Sequence, residues 1–182
     1  PGADRSRRRV AAEQAWVGVA GGRPLDLIRL AGIYGPGRSA LDDVRAGTAR
    51  RVVKPGHAFG RIHRDDIAAG VLAAIAHPPT GTRVLNFTDD EPAESAAVLA
   101  EAASLLGVPA PPEVVFAEAW EGMSAMGRSF WAENRRVANA KTKAALGIAW
   151  LYPSYREGLR AISTEKKAGG DVPSPPDPPS II

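Results

Sequence analysis

Residues 25 to 37 read LDLIRLAGIYGPG, and this stretch does most to limit how the chain can fold. Leu25, Leu27, Ile28, Leu30 and Ile33 form a nearly continuous apolar run, without the strict alternation of a strand that has one wet face. Such a run suits a strand covered on both faces, as in a parallel sheet. We expect a strand over 25–33, closed by the Gly35-Pro36-Gly37 turn. Arg29 interrupts the run and must reach a partner or an edge.

The segments around it alternate between the two periods of regular structure. Residues 4–20 read as a helix, with Asp4 or Ser6 as cap and Ala12, Trp16, Val19 and Ala20 on one face. Gly21-Gly22 and Pro24 stop it. A short helix is expected over about 39–47, and strands over 50–53 (RRVV), 59–63 (FGRIH) and 83–87 (RVLNF). Asp65–His77 repeats Ile67, Val71, Ala74 and Ile75 at helical spacing and ends at Pro78-Pro79. Glu94–Leu106 does the same with Val98, Ala102 and Leu105, and Gly107 follows as its C′ residue. Asn139 caps a short helix to Leu146, and Pro153–Ile162 reads as a last helix with proline in its first turn. Residues 114–127 match neither period. The segment 163–182 is rich in Pro, Gly and charge and reads as a disordered tail to a domain over 1–162.

Strands alternating with helices imply parallel pairing. The alternation begins on a helix, and neither G-x-G-x-x-G nor G-x-x-G-x-x-G occurs. GVAGG at 18–22 follows a helix instead of a strand, so it is not a dinucleotide turn. The expected fold class is therefore α/β. It is an incomplete, Rossmann-like doubly wound parallel sheet, its second half, with a small substrate-binding part and the N-terminal Gly-rich cofactor half missing.

Composition removes several function classes. With no cysteine, thiolate zinc sites, disulfides and cysteine nucleophiles are excluded. Twenty-three Lys and Arg stand against twenty Asp and Glu, a net +3 concentrated in RSRRR at 5–9. That is not the balance of a dedicated nucleic-acid binder. No apolar run reaches the ~18 residues of a membrane span. We expect no nucleic-acid or membrane partner, and a cytoplasmic protein.

Four stretches in order carry a resemblance. They are RLAGIYGPG (29–37), RIHRDDIAAGVLAAI (61–75), VLNFTDDEP (84–92) and NAKTKAALGIAWLYPSYREGL (139–159). Together they resemble the C-terminal portion of an extended, atypical short-chain dehydrogenase/reductase of the NAD(P)-dependent epimerase/dehydratase family, over about Asp4 to Ile162. The resemblance implies NAD or NADP as cofactor and a small hydroxy or keto substrate, sugar nucleotides included. It places Leu30, Ala31 and Ile33 near the nicotinamide and Tyr34 at the cleft wall. Gly32 stands where relatives often have Asn. It also implies a homodimer through the helix at 4–20.

The family's acid/base pair is Tyr-x-x-x-Lys on a helix. Matching RVAAEQ to that helix sets Arg5 on the tyrosine and Arg9 on the lysine. An arginine stays protonated and has no acceptor, so neither can act as the acid/base, although Arg9 could hold a ribose or phosphate oxygen of the cofactor. We therefore expect no turnover from this chain alone. The alternative is a non-catalytic module that binds a nucleotide or sugar.

Other clusters have plainer readings. RSRRR suits a solvated first helical turn, or a grip on phosphate. His57, His63 and His77 lack metal-ligand spacing, and no metal is expected. Asp65 reads as a helix N-cap and Asp66 as a dipole partner, with His63 left as a substrate contact at the cleft. Asp89, Asp90 and Glu91 read as a helix-entry cluster. Arg128, in SAMGRSFWAENRR, is the second candidate for holding an anionic or sugar-like substrate. The four tryptophans suit core or interface.

Overall fold

The computed structural model describes residues 4–132, 134 and 136–168. In chain order these form α1 (Asp4–Ala20), β1 (Leu25–Leu30), β2 (Gly32–Tyr34), α2 (Ala40–Arg45), β3 (Arg51–Val53), β4 (Arg61–His63) and α3 (Arg64–Ala76). There follow β5 (Thr82–Phe87), α4 (Ser95–Leu106), β6 (Glu113–Val115), α5 (Phe116–Glu121), α6 (Ala125–Trp131), α7 (Ala140–Leu146) and α8 (Tyr155–Ala168).

The strands are parallel, as the apolar run at 25–33 requires, but they pair in twos: β1 with β5, β2 with β4, β3 with β6. The expected single strand over 25–33 breaks at Ala31, and the break is an exchange of partners. Ala31 N still donates to Phe87 O at the end of β5, whereas Gly32 N donates to Gly60 O beside β4. Space for a side chain is tight at Gly32 and absent at Gly60 on the other side of this fork. A Cβ on Gly32 would lie 3.3 Å from Gly60 O, and one on Gly60 would lie 2.6 Å from Thr88 Oγ1.

Two apolar cores flank the fork. One gathers Ile62, Leu85, Phe87, Ala74, Leu146 and Trp150 under α3 and α7. Gly70 lets α3 approach so closely that a Cβ there would lie 2.6 Å from Phe87 Cε2. The other packs Tyr34, Leu41, Val98, Ala102, Tyr155, Leu159 and Ile162 between α2, α4 and α8. The breakers act as expected at α4 and α7, which end on left-handed Gly107 (φ 69°) and Gly147 (φ 63°).

Several expectations need correction. The N-cap of α3 is His63, whose Nδ1 accepts from Asp65 N at 3.2 Å, so Asp65 is not the cap. Asp66 is buried and accepts from Leu151 N (2.6 Å) and Tyr152 N (3.1 Å), tying α3 to the loop before α8. Asp89, Asp90 and Glu91 do not enter a helix, since α4 begins only at Ser95 with Glu94 at its N-cap. Asp90 instead pairs with Lys143 and Glu91 with Arg156. Asn139 stands at the N-cap of α7 but makes no side-chain cap, its amide donating to Thr88 O and Asp90.

Helix α8 runs on through Ser163, which is buried, to Ala168, where a disordered tail was expected from 163. The rest of that tail, 169–182, lies outside the described residues. Among the described residues no helix is long and apolar enough to cross a membrane.

Candidate functional site

The carboxyl ends of β2 and β4 lie side by side, with Tyr34 opposite His63 in register. In open α/β structures this is where ligands bind, because the chain turns away and leaves a crevice there. Beyond the carboxyl end of β2, and reaching back to Arg61 at the amino end of β4, is a cleft of about 570 Å³. Ile33 and Tyr34 come to it from β2, Arg61 from β4, Val98 and Leu99 from α4, and Tyr155 and Leu159 from α8. Helix α2 adds Asp42 and Asp43, and the loops on either side of it add Arg38, Ser39, Thr48 and Arg50.

Tyr34 is 7% exposed, and its hydroxyl lies 3.4 Å from Ser154 O. Its ring fills the space left by Gly158, where any Cβ would overlap the phenol. Burial, then the nearby carboxylates of Asp89, Asp66 and Glu157, push this phenol far above the ordinary tyrosine range. It therefore stays a neutral donor and cannot serve as a base at neutral pH.

His63 shares that burial. Its ring packs edge-on to Tyr34 at 5.1 Å and against Tyr152 at 4.2 Å, and burial depresses its basicity. His63 does not line the cleft, so its place in the fold is that of a cap and a wedge beneath Tyr34.

Of the polar groups at the cleft floor, Arg61, Thr88 and Tyr155 were not singled out from sequence, and Asp89 was read only as part of a helix-entry cluster. Arg61 Nη1 donates to Phe59 O (2.9 Å) and Ala93 O (3.1 Å). Its backbone O accepts from Asp89 N (2.6 Å), and its backbone N donates to Asp89 Oδ1 (3.3 Å). Asp89 is 2% exposed, and burial pushes its carboxyl up to about 7 against the pull of Arg61. Asp89 Oδ2, Thr88 Oγ1 and Tyr155 Oη are buried without a hydrogen-bond partner among the described residues. Two sequence signals pointed this way: a cation inside a three-residue strand, and a carboxylate two residues past a strand's carboxyl end.

The other candidates lie elsewhere. Leu30 and Ile33 are exposed (44% and 38%), with Ala31 between them half-buried and Gly32 exposed. They form an apolar ledge across the break between β1 and β2. An anion cradle for the dinucleotide is not part of that ledge. Arg9 is exposed on α1 and lines a separate groove of about 460 Å³ with Glu13, Trp16 and residues 25–28 of β1. The two clefts share no lining residue. Arg5 is on α1, and its side chain is outside what the structure describes. Arg128 closes the end of α5 by donating to Trp120 O and Glu121 O (both 3.1 Å) and stacks over Trp120 at 5.2 Å. Its guanidinium is thus largely committed within α5 and α6. Among the described residues there is no cluster of metal-ligating side chains.

No family model matches the sequence. A 3-diazoavenalumate denitrifying reductase from a Streptomyces species is 33% identical over 141 residues, 73% of this chain and 45% of that protein. A conserved protein of unknown function from Silicibacter pomeroyi DSS is 46% identical with a TM-score of 0.83, over 92% of this chain and 57% of that one. The dTDP-glucose 4,6-dehydratase of Bacillus anthracis str. Ames, solved in complex with NAD, superposes with a TM-score of 0.67 at 15% identity, over 93% of this chain and 53% of its own. The chain thus spans about half the length of the proteins it matches. Over most of its length it structurally resembles the NAD(P)-dependent epimerases and dehydratases of the extended short-chain dehydrogenase/reductase type.

Proposed function

We propose that the chain forms the substrate-facing part of an NAD(P)-dependent reductase or epimerase/dehydratase-like oxidoreductase. Its substrate is a small hydroxy or keto compound, with sugar nucleotides in the range considered. The observation that carries this is the cleft beyond the carboxyl end of β2, where the apolar ledge ending in Ile33 adjoins Tyr34 and three arginines. A bound dinucleotide would supply hydride chemistry. The chain's own residues would seat the nicotinamide on Leu30, Ala31 and Ile33, with the Tyr34 ring as a wall of the substrate site. Arg5 and Arg9 stand at the positions of the family's acid/base pair and cannot exchange protons there. The chain is therefore expected to bind without turning over.

The test combines two measurements on the purified chain. NADPH titration followed by nicotinamide fluorescence should show saturable binding that Ile33→Asp weakens, while absorbance at the reduced nicotinamide band stays constant with sugar nucleotides or simple ketones present. Oxidation of NADPH that disappears in Tyr34→Phe would overturn the expected inactivity. Binding unchanged in Ile33→Asp would remove the ledge from the cofactor site. The second reading, a binding module without redox chemistry, is favoured by the arginines at 5 and 9. It predicts binding of a nucleotide or sugar with no dependence on NAD(P)H.

The same proposal includes a homodimer through α1, on which Trp16 and Val19 are 62% and 66% exposed. Sedimentation of the wild type and of Trp16→Glu tests it. A monomer at all concentrations would end it.

A further inference from the structure

Beneath the cleft lies a polar arrangement that the protein's own groups do not complete. Both Nη1 hydrogens of Arg61 are used, on Phe59 O and Ala93 O. Its Nε–H and Nη2–H groups have no hydrogen-bond partner, and no carboxylate comes within 4.0 Å of the guanidinium, among the described residues. Burial makes this cation costly, with Asp89, Tyr155 and Tyr34 as its electrostatic neighbours. Beside it, Tyr155 is 1% exposed and lines the cleft, yet its hydroxyl donates to nothing. The guanidinium is half-buried at the cleft, the phenol is fully buried, and a buried hydroxyl left unpaired costs stability unless something completes it. Both are donors, so what completes them is an acceptor, and the fork of a guanidinium matches a planar oxyanion.

The rest of the lining describes what that oxyanion is attached to. Ile33, Val98, Leu99, Leu159 and the tyrosine rings give the cleft an apolar wall, opposite a lining of Ser39, Thr48 and charged groups. Asp42 and Asp43 line the same cleft. Burial, and then the neighbouring Asp42, push the Asp43 carboxyl above its ordinary range. Arg38 and Arg50 line it too, so the cleft carries both signs of charge.

We propose that Arg61 and Tyr155 form a carboxylate-binding floor, and that the cleft takes a small organic monoacid with an apolar or aromatic body. This narrows the substrate class and rests on the reading of the cleft as a substrate site. Arg61 grips the carboxylate through Nε and Nη2, and Tyr155 donates its hydroxyl to the same group. The apolar body lies along Leu99 and Leu159, which points its far end toward Ile33.

The experiment needs no cofactor, so it separates this proposal from the oxidoreductase reading. Cinnamate, its neutral amide and UDP are titrated into the full chain by calorimetry. Cinnamate should bind saturably, the amide about 10- to 100-fold more weakly, and UDP more weakly than cinnamate. Arg61→Gln should cost cinnamate a similar factor and leave the amide unchanged. Because Arg61 also ties Phe59 and Ala93, Tyr155→Phe provides a variant that keeps the fold. It removes only an unpartnered hydroxyl, so the melting temperature should hold or rise while cinnamate weakens several-fold. Asp43→Asn, on the other side of the cleft, should strengthen cinnamate. Equal binding of cinnamate and its amide, no binding of cinnamate, or a loss of stability in Tyr155→Phe with cinnamate affinity intact would each overturn the proposal. UDP binding tighter than cinnamate and lost in Arg61→Gln would replace carboxylate by phosphate and leave the oxidoreductase reading standing. Cinnamate binding by Arg61 with no NADPH binding would do the reverse.

Discussion

The carboxyl ends of β2 and β4 and the outer side of β1 draw on similar apolar residues and end in opposite states. At the first, Tyr34, Ile62, His63, Asp66, Asp89 and Tyr155 are all under 9% exposed, and helices α3, α4 and α8 close over them. At the second, only Ala20 of the described α1 side chains is buried. Trp16 stands in solvent, and the helix is tied to β1 by the Glu13–Arg29 ion pair (2.6 and 2.9 Å), with Arg23 closing its carboxyl end. A helix owes most of its stability to the apolar face it buries. The difference places the chain's cohesion around the cleft and leaves the α1–β1 side as the surface where further apolar contact can be gained.

Four measurements would break or sharpen that contrast. The largest effect is expected at Asp66, which holds the backbone N–H groups of Leu151 and Tyr152 from a fully buried position. Asp66→Ala should cost about 3 kcal/mol in denaturant unfolding, because two buried donors lose a charged acceptor. A loss below about 1 kcal/mol would mean the cleft side is no tighter than the other. Next is Gly70→Ala. The added Cβ meets Phe87 at 2.6 Å and Trp150 at 3.3 Å, and overpacking should cost about 1–3 kcal/mol. A neutral outcome would show that α3 can lift from the core.

The third concerns pH. The folded Asp89 carboxyl sits at about 7, well above the unfolded value near ~3.9. The folded state thus holds a proton that the unfolded state has lost, and stability contributed at this position falls as pH rises from about 4 to 7. Asp89→Asn removes that dependence. Its stability relative to the wild type should therefore be higher at pH 8 than at pH 5, and a flat difference would show that Asp89 is not the buried acid. The smallest effect is expected on the open side, where Trp16→Ser should change stability by less than about 0.5 kcal/mol at low protein concentration. A larger loss that grows with concentration would show that a second copy covers α1, and would erase half of the contrast.

Much of the candidate site was legible only in outline. The Tyr34-Gly-Pro-Gly turn marked the right end of the right strand, because a continuous apolar run stopped by Gly-Pro-Gly is a local signal. Arg61, Asp89 and Tyr155 carried no comparable signal. Their environment is assembled from β4, the end of β5 and the start of α8, and the separation of 28 positions between Arg61 and Asp89 leaves no periodicity that links them. His63 and Arg128 drew attention for their chemistry, and both turned out to be hydrogen-bonded to nearby backbone, in competition with any ligand. The stretch 114–127, unreadable by period, splits among β6, α5 and α6, each too short for a period to repeat.

By itself the sequence determined the helices and strands whose signals lie within a turn or two. Helices α3 and α4 came from apolar spacing, the ends of α4 and α7 from a glycine that reaches positive φ, and the parallel class from apolar continuity. Tertiary structure alone decided where the strand over 25–33 changes partner at Ala31, which carboxylates are buried, and which guanidinium is left without an acid. These outcomes depend on groups far apart in the chain removing one another from water. Burial sets the charge state of Asp89 and the reach of Arg61, and burial exists only once α3, α4 and α8 have closed on the strands.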